Sequence, residues 1–234
     1  MKKILTITDL TRMKENRVCI FGIDEQGKGI RPNKYGTSEE YAIQNNILPF
    51  NEIEFDLTQI SDTKPPHTED WRINKQYTPM FIRTLSDEEK KEFLENILYP
   101  SVEDIFGAEI HENKYLNEGE GIRSLGTIKA KDILFVNYLA RGEGKFNYRI
   151  TFQDQSGAEY NLQVTDLAFR NHCDAWRKMD LSTGRVGLLI KEYFENTLIF
   201  LRVGLARPFP EMQNRCYLQV SGVYSFPDYL ENVL

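Results

Sequence analysis

Residues 146–164 constrain the fold more than any other stretch. Phe146, Tyr148, Ile150 and Phe152 alternate with Asn147, Arg149 and Thr151. After the turn residues Asp154-Gln155-Ser156-Gly157, Ala158, Tyr160, Leu162 and Val164 alternate with Glu159, Asn161 and Gln163. A period of two places one side of each segment on a core and the other in water, so the pair reads as a β-hairpin. The flanking segments complete an order. Residues 133–140 read as a strand before the hairpin. A helix begins near Thr165-Asp166, with Phe169, Cys173 and Trp176 on one stripe. Val186, Leu189, Ile190, Tyr193 and Phe194 form a second helical stripe, whose start is weakened by Gly184 and Gly187. Residues 198–205 and 216–223 read as two closing strands. The order β-β-β-α-β-β is that of an OB barrel.

The N-terminal third also reads as β. Residues 3–8 form a short β-prone run, and 17–23 (RVCIFGI) form a continuous apolar run suited to a buried strand. Ile30-Arg31-Pro32 is extended and stopped by the proline. Residues 33–46 are polar and read as a loop. Residues 50–60 alternate, with Ile53, Phe55 and Leu57 opposed to Glu52, Glu54 and Asp56. Residues 61–80 read as a loop rich in proline and polar groups.

Between these halves lies an acidic stretch. Residues 86–121 hold 3 Lys+Arg against 11 Asp+Glu, whereas 1–85 hold 12 against 12 and 122–234 hold 14 against 12. Ser86 and Glu89 have capping-box spacing, and Phe93, Leu94, Ile97 and Leu98 form an apolar stripe, which predicts a helix ended by Pro100. Residues 101–106 suggest a further short helix, and 111–122 a connection. The expected fold is mainly β with helices (α+β). Two OB-like barrel halves, 1–85 and 122–234, are joined by the acidic helical segment 86–121.

Composition narrows the function classes. No run approaches the roughly 20 apolar residues of a spanning helix, and the first residues lack a signal-peptide core, so a cytoplasmic protein without a membrane partner is expected. Cys19, Cys173 and Cys216 are too widely spaced for a CxxC zinc site or a disulfide framework. No P-loop, GxSxG, kinase or deaminase pattern appears, so no cofactor and no catalytic residue is expected. The net charge of −6 opposes non-specific binding to nucleic acid at long range but leaves room for a local basic patch.

Several short motifs in order resemble a bacterial family, the dual OB-containing domain proteins. They are Leu10-Thr11-Arg12-Met13, the strand at 17–24, Ile30-Arg31-Pro32, and His67-Thr68-Glu69-Asp70-Trp71. Arg123-Ser124-Leu125-Gly126-Thr127-Ile128, the stretch 203–209 and the stretch 222–230 continue the match. The resemblance implies two OB-like barrels and a nucleic-acid role, with bacterial defence or nucleic-acid processing as the setting. It implies no particular activity.

Arg12, Arg17, Arg31 and Lys34 surround the first strands, where an OB barrel commonly binds, and Trp71 is placed to stack a base. These five are the expected nucleic-acid residues. The plainer alternative is that Arg31 braces a sheet edge and Trp71 plugs a core. His67, Glu69 and Asp70 are weak metal or acid–base candidates, since a metal needs three or four converging ligands and this run matches no established spacing. The leading expectation is a non-enzymatic module for single-stranded or structured nucleic acid. An adaptor docking a basic partner through the acidic connector is the alternative, and a metal-dependent hydrolase or nuclease comes third.

Overall fold

The first strand is long enough to serve two neighbours. In the computed structural model, which describes residues 1–33, 35–142, 144–208 and 210–231, β1 (Lys2–Arg12) carries a bulge between Ile7 and Asp9. It pairs antiparallel with β2 (Arg17–Asp24) on one side. Beyond β2 come β3 (Gly29–Ile30), β4 (Thr37–Ser38), which also pairs with β2, and the short helix α1 (Glu39–Gln44). On its other side β1 pairs with β5 (Asn51–Gln59), whose period-two pattern buries Ile53, Phe55 and Leu57 completely. β5 pairs with β6 (Trp71–Ile73) and β7 (Met80–Thr84).

The ends of this sheet meet. A parallel bridge joins Arg31 to Asp70, with the Arg31 amide donating to the Glu69 carbonyl at 2.7 Å and the Trp71 amide to the Arg31 carbonyl at 2.9 Å. The circuit β1-β2-β3-β6-β5-β1 is that of an OB barrel, with α1 between its third and fourth strands.

The chain continues through α2 (Asp87–Asn96), α3 (Val102–Phe106) and β8 (Tyr115–Asn117). The capping box is present in full, Ser86 accepting from the Glu89 amide and Glu89 accepting from the Ser86 amide. Leu94 of α2 packs with Phe50 and Leu85 of the first half and Phe200 of the second. The rest of 86–121 is built into the second half. Val102, Ile105, Phe106 and Leu116 belong to its core, and β8 pairs with its last strand.

The second barrel follows the order read from the hairpin. β9 (Leu125–Lys129) and β10 (Asp132–Ala140) act as one bent strand. At the bend, Ala130 donates to Ile199 on one neighbour and Lys131 to Gln153 on the other. Then come β11 (Phe146–Gln153), β12 (Glu159–Val164), the helices α4 (Leu167–Lys178) and α5 (Thr183–Phe194), β13 (Leu198–Leu205) and β14 (Arg215–Phe226). The sheet runs β10-β11-β12-β14-β13-β9, with β12 and β14 parallel, so it closes through the β9–β10 bend. Both halves thus use the same circuit. No membrane-spanning helix is present among the described residues.

Candidate nucleic-acid interface

Arg31 follows the end of β3, where closure of the first barrel turns it inward. It is 7% exposed. Its Nη1 donates to Asp70 Oδ1 at 2.8 Å and its Nη2 to Ser124 Oγ at 2.9 Å. Arg207 reaches the same Asp70 oxygen from the second barrel at 2.6 Å. Burial works against ionisation of Asp70, but Arg207 and Arg31 outweigh it and hold the carboxyl below its usual range. Glu69 spends one oxygen on the Ser124 amide at 2.6 Å and the other on the Ser124 hydroxyl at 3.0 Å. His67 Nε2 lies 3.2 Å from the Ala206 carbonyl. Burial, reinforced by Arg31 and Arg207, lowers the His67 pKa to about 3, so the ring is neutral and Nε2 is the donor. His67, Glu69 and Asp70 therefore act here as ties between the barrels. No group of three or more His, Cys, Asp or Glu side chains able to hold a metal occurs among the described residues.

A second tie escaped the sequence reading. Arg202, 1% exposed in the middle of β13, donates through Nε to Asp9 Oδ2 at 3.0 Å and through Nη1 to Thr127 Oγ1 at 2.7 Å. The other Asp9 oxygen accepts from Ser221 at 2.6 Å. The Phe21 ring lies beside both buried guanidinium groups, 5.5 Å from Arg31 and 5.4 Å from Arg202. The available signal was a lone arginine inside the apolar run LIFLRVGL, since a buried cation requires a partner.

The remaining expected contacts divide. Arg12 bonds Asn171 and lies 3.8 Å from Asp174, both on α4 of the second barrel. Trp71 is 3% exposed, with Lys3 and Lys28 over its ring at 5.6 and 5.3 Å. Arg17 is exposed and donates to the Gly36 carbonyl at 2.8 Å. Lys34 lies outside the described residues.

Arg17 and the edge of Trp71 share a groove of about 590 Å³ with Asn33, Tyr35, Arg72 and Lys75. It runs over the seam where the first barrel closes. Tyr35 is 67% exposed. Arg72 and Lys75 form no ion pair among the described residues, and no carboxylate lines the groove there. Arg72 was not singled out in the sequence because Trp71-Arg72-Ile73 is too short to establish a period.

The dual OB-containing domain family model matches residues 2–223. The chain belongs to that family. No curated protein matches it. In this dual OB-containing protein, most of the motif segments meet at the joint between the barrels. Ile30-Arg31-Pro32 and the 67–71 run face Ser124 and Arg207, and the strand at 17–24 supplies Phe21.

Proposed function

We propose that this dual OB-containing protein binds single-stranded nucleic acid through the groove on its N-terminal barrel. The observation that carries the reading is a basic, carboxylate-free groove with aromatic lining, placed on the first residue of β2, on β6 and on the loop that follows β3. Arg17, Arg72 and Lys75 contact successive phosphates, and Tyr35 offers a ring to a base. The overall charge of −6 repels nucleic acid at a distance, so the groove works at short range, and counterion release makes its phosphate contacts strongest at low salt.

The test is fluorescence anisotropy of labelled oligo-dT and oligo-U over a range of salt concentrations. Each phosphate contact to a single strand contributes about −0.7 to the salt slope, so Arg17→Gln/Arg72→Gln/Lys75→Gln is expected to flatten it by about 2. Tyr35→Ala is expected to weaken binding by roughly 1–3 kcal/mol with the slope kept. A wild-type protein that binds neither oligonucleotide at low salt overturns the reading. It would turn attention to Glu88, Glu92 and Glu95, exposed on α2, as a surface for a basic protein.

A further inference from the structure

A cavity of about 170 Å³ lies at the joint between the barrels. Arg31 and His67 of the first barrel and Ser124 and Arg207 of the second line it, with the half-buried Arg12 and the exposed Met13 at its outer margin. The lining holds three guanidinium groups and one carboxylate, Asp9, whose two oxygens already accept from Arg202 and Ser221. Asp70, which holds Arg31 and Arg207 through a single oxygen, and Glu69 are not part of the lining.

Hydrogen-bonding capacity is left over on this wall. A guanidinium has five N–H donors. Arg31, 7% exposed, spends one on Asp70 and one on Ser124 and makes no other hydrogen bond among the described residues. Arg207 spends one, on Asp70. His67 is 5% exposed. With its Nε2 given to the Ala206 carbonyl, its Nδ1 keeps a lone pair that meets no donor among the described residues. Buried donors and acceptors are costly to leave unpaired. The unspent groups are cationic donors on one side and a neutral acceptor on the other, so a ligand that answers both is an anion with several acceptor oxygens and one hydroxyl. A cavity of about 150 Å³ admits a molecule the size of benzene. A tetrahedral oxyanion is no larger, whereas a nucleoside is.

We infer that this cavity between the barrels is a binding site for hydrogen phosphate. Arg31 and Arg207 take its oxygens, Arg12 adds positive charge at the entrance, and its hydroxyl faces Nδ1 of His67. Sulfate has the same shape but no proton to give. A phosphate monoester, whose second pKa is about 6, has also lost its proton well above that pH. The inference does not rest on the nucleic-acid reading, since no residue lines both this cavity and the N-terminal groove.

The test reads Cys19, which lines the cavity and is only half-buried, while Cys173 and Cys216 are fully buried. Alkylation of the folded protein by N-ethylmaleimide is followed at about pH 8, where the thiolate is the reacting form. Inorganic phosphate, sulfate or AMP is added at constant ionic strength, and Cys19→Ser identifies the rate as that of Cys19. Phosphate is expected to slow the reaction saturably, and calorimetry to give one site with the same dissociation constant. Sulfate and AMP are expected to bind about ten- to a hundredfold more weakly, since both leave the His67 acceptor unpaired. Arg207→Gln is expected to lose about tenfold in phosphate affinity, and the groove variant Arg17→Gln/Arg72→Gln/Lys75→Gln none. The sulfate and AMP arms use the wild type, so they decide the matter even if Arg207→Gln fails to fold. Equal protection by sulfate or by AMP overturns hydrogen phosphate as the ligand. Absence of saturable protection by phosphate overturns the site itself, whatever oligonucleotides do at the groove.

Discussion

A buried histidine beside two arginines is a poor acid–base group, and His67 shows why. Its pKa falls from 6.5 to about 3 through burial and then through Arg31 and Arg207. The unfolded chain takes up a proton as pH drops below 6.5, while the folded chain does so only near 3. This contribution to stability is therefore whole above 6.5 and is lost as pH falls, by about 1.4 kcal/mol per unit. His67→Asn retains a donor for Ala206 and does not titrate. Urea denaturation from neutral pH down to about pH 4.5 is expected to show a slope shallower by about 1.4 kcal/mol per unit in the variant. Parallel slopes would mean that the folded protein already carries a protonated His67. The run His67-Thr68-Glu69-Asp70 displays ligand-type side chains in the sequence. What it hides is where their partners lie: Arg31 is 39 residues from Asp70, Ser124 is 55 from Glu69, and Arg207 is 137 from Asp70. Residue type was legible, and occupancy was not.

Elements with many turns or alternations announced themselves, and short ones did not. β11, β12 and α2 repeat their pattern long enough to be read, and the order of the C-terminal strands followed from them. β6 has three residues and α1 has six, so the former loops 61–80 and 33–46 gave no period to detect. β6 and the residue Lys75 just beyond it line the groove, which is why Arg72 and Lys75 emerged only from the fold. The two glycines of α5 separate propensity from packing. A Cβ at Gly184 meets nothing within 4 Å, whereas one at Gly187 falls 2.4 Å from the Val136 carbonyl oxygen on β10. Gly184→Ala is thus expected to stabilise by up to about 1 kcal/mol through helix propensity alone. Gly187→Ala must push the helix off the strand, and overpacking of this kind costs roughly 1–3 kcal/mol. Equal and favourable shifts in denaturation midpoint would refute the close approach of α5 to β10.

At the scale of the molecule, two similar barrels are joined by buried charge rather than by a linker. Arg202 crosses to Asp9, Arg207 to Asp70, and the Ser124 hydroxyl and amide meet Arg31 and Glu69. The backbone also crosses, the Arg12 amide donating to the Thr165 carbonyl at 2.9 Å. Neither half can separate without leaving charged groups buried or hydrating them anew, so the halves are expected to unfold together. The chain supplies its own reporters, with one of its two tryptophans, Trp71, in the first barrel and the other, Trp176, in the second. Trp71→Phe and Trp176→Phe each leave a single probe, and the two melting curves are expected to coincide after allowance for the substitution. Arg202→Ala leaves Asp9, 2% exposed, without its cation, at a cost of about 3–5 kcal/mol. Because that charge lies at the joint, the loss should lower both tryptophan transitions by the same amount. A shift confined to one probe would show that the barrels are independent units and that the buried arginine serves only its own half.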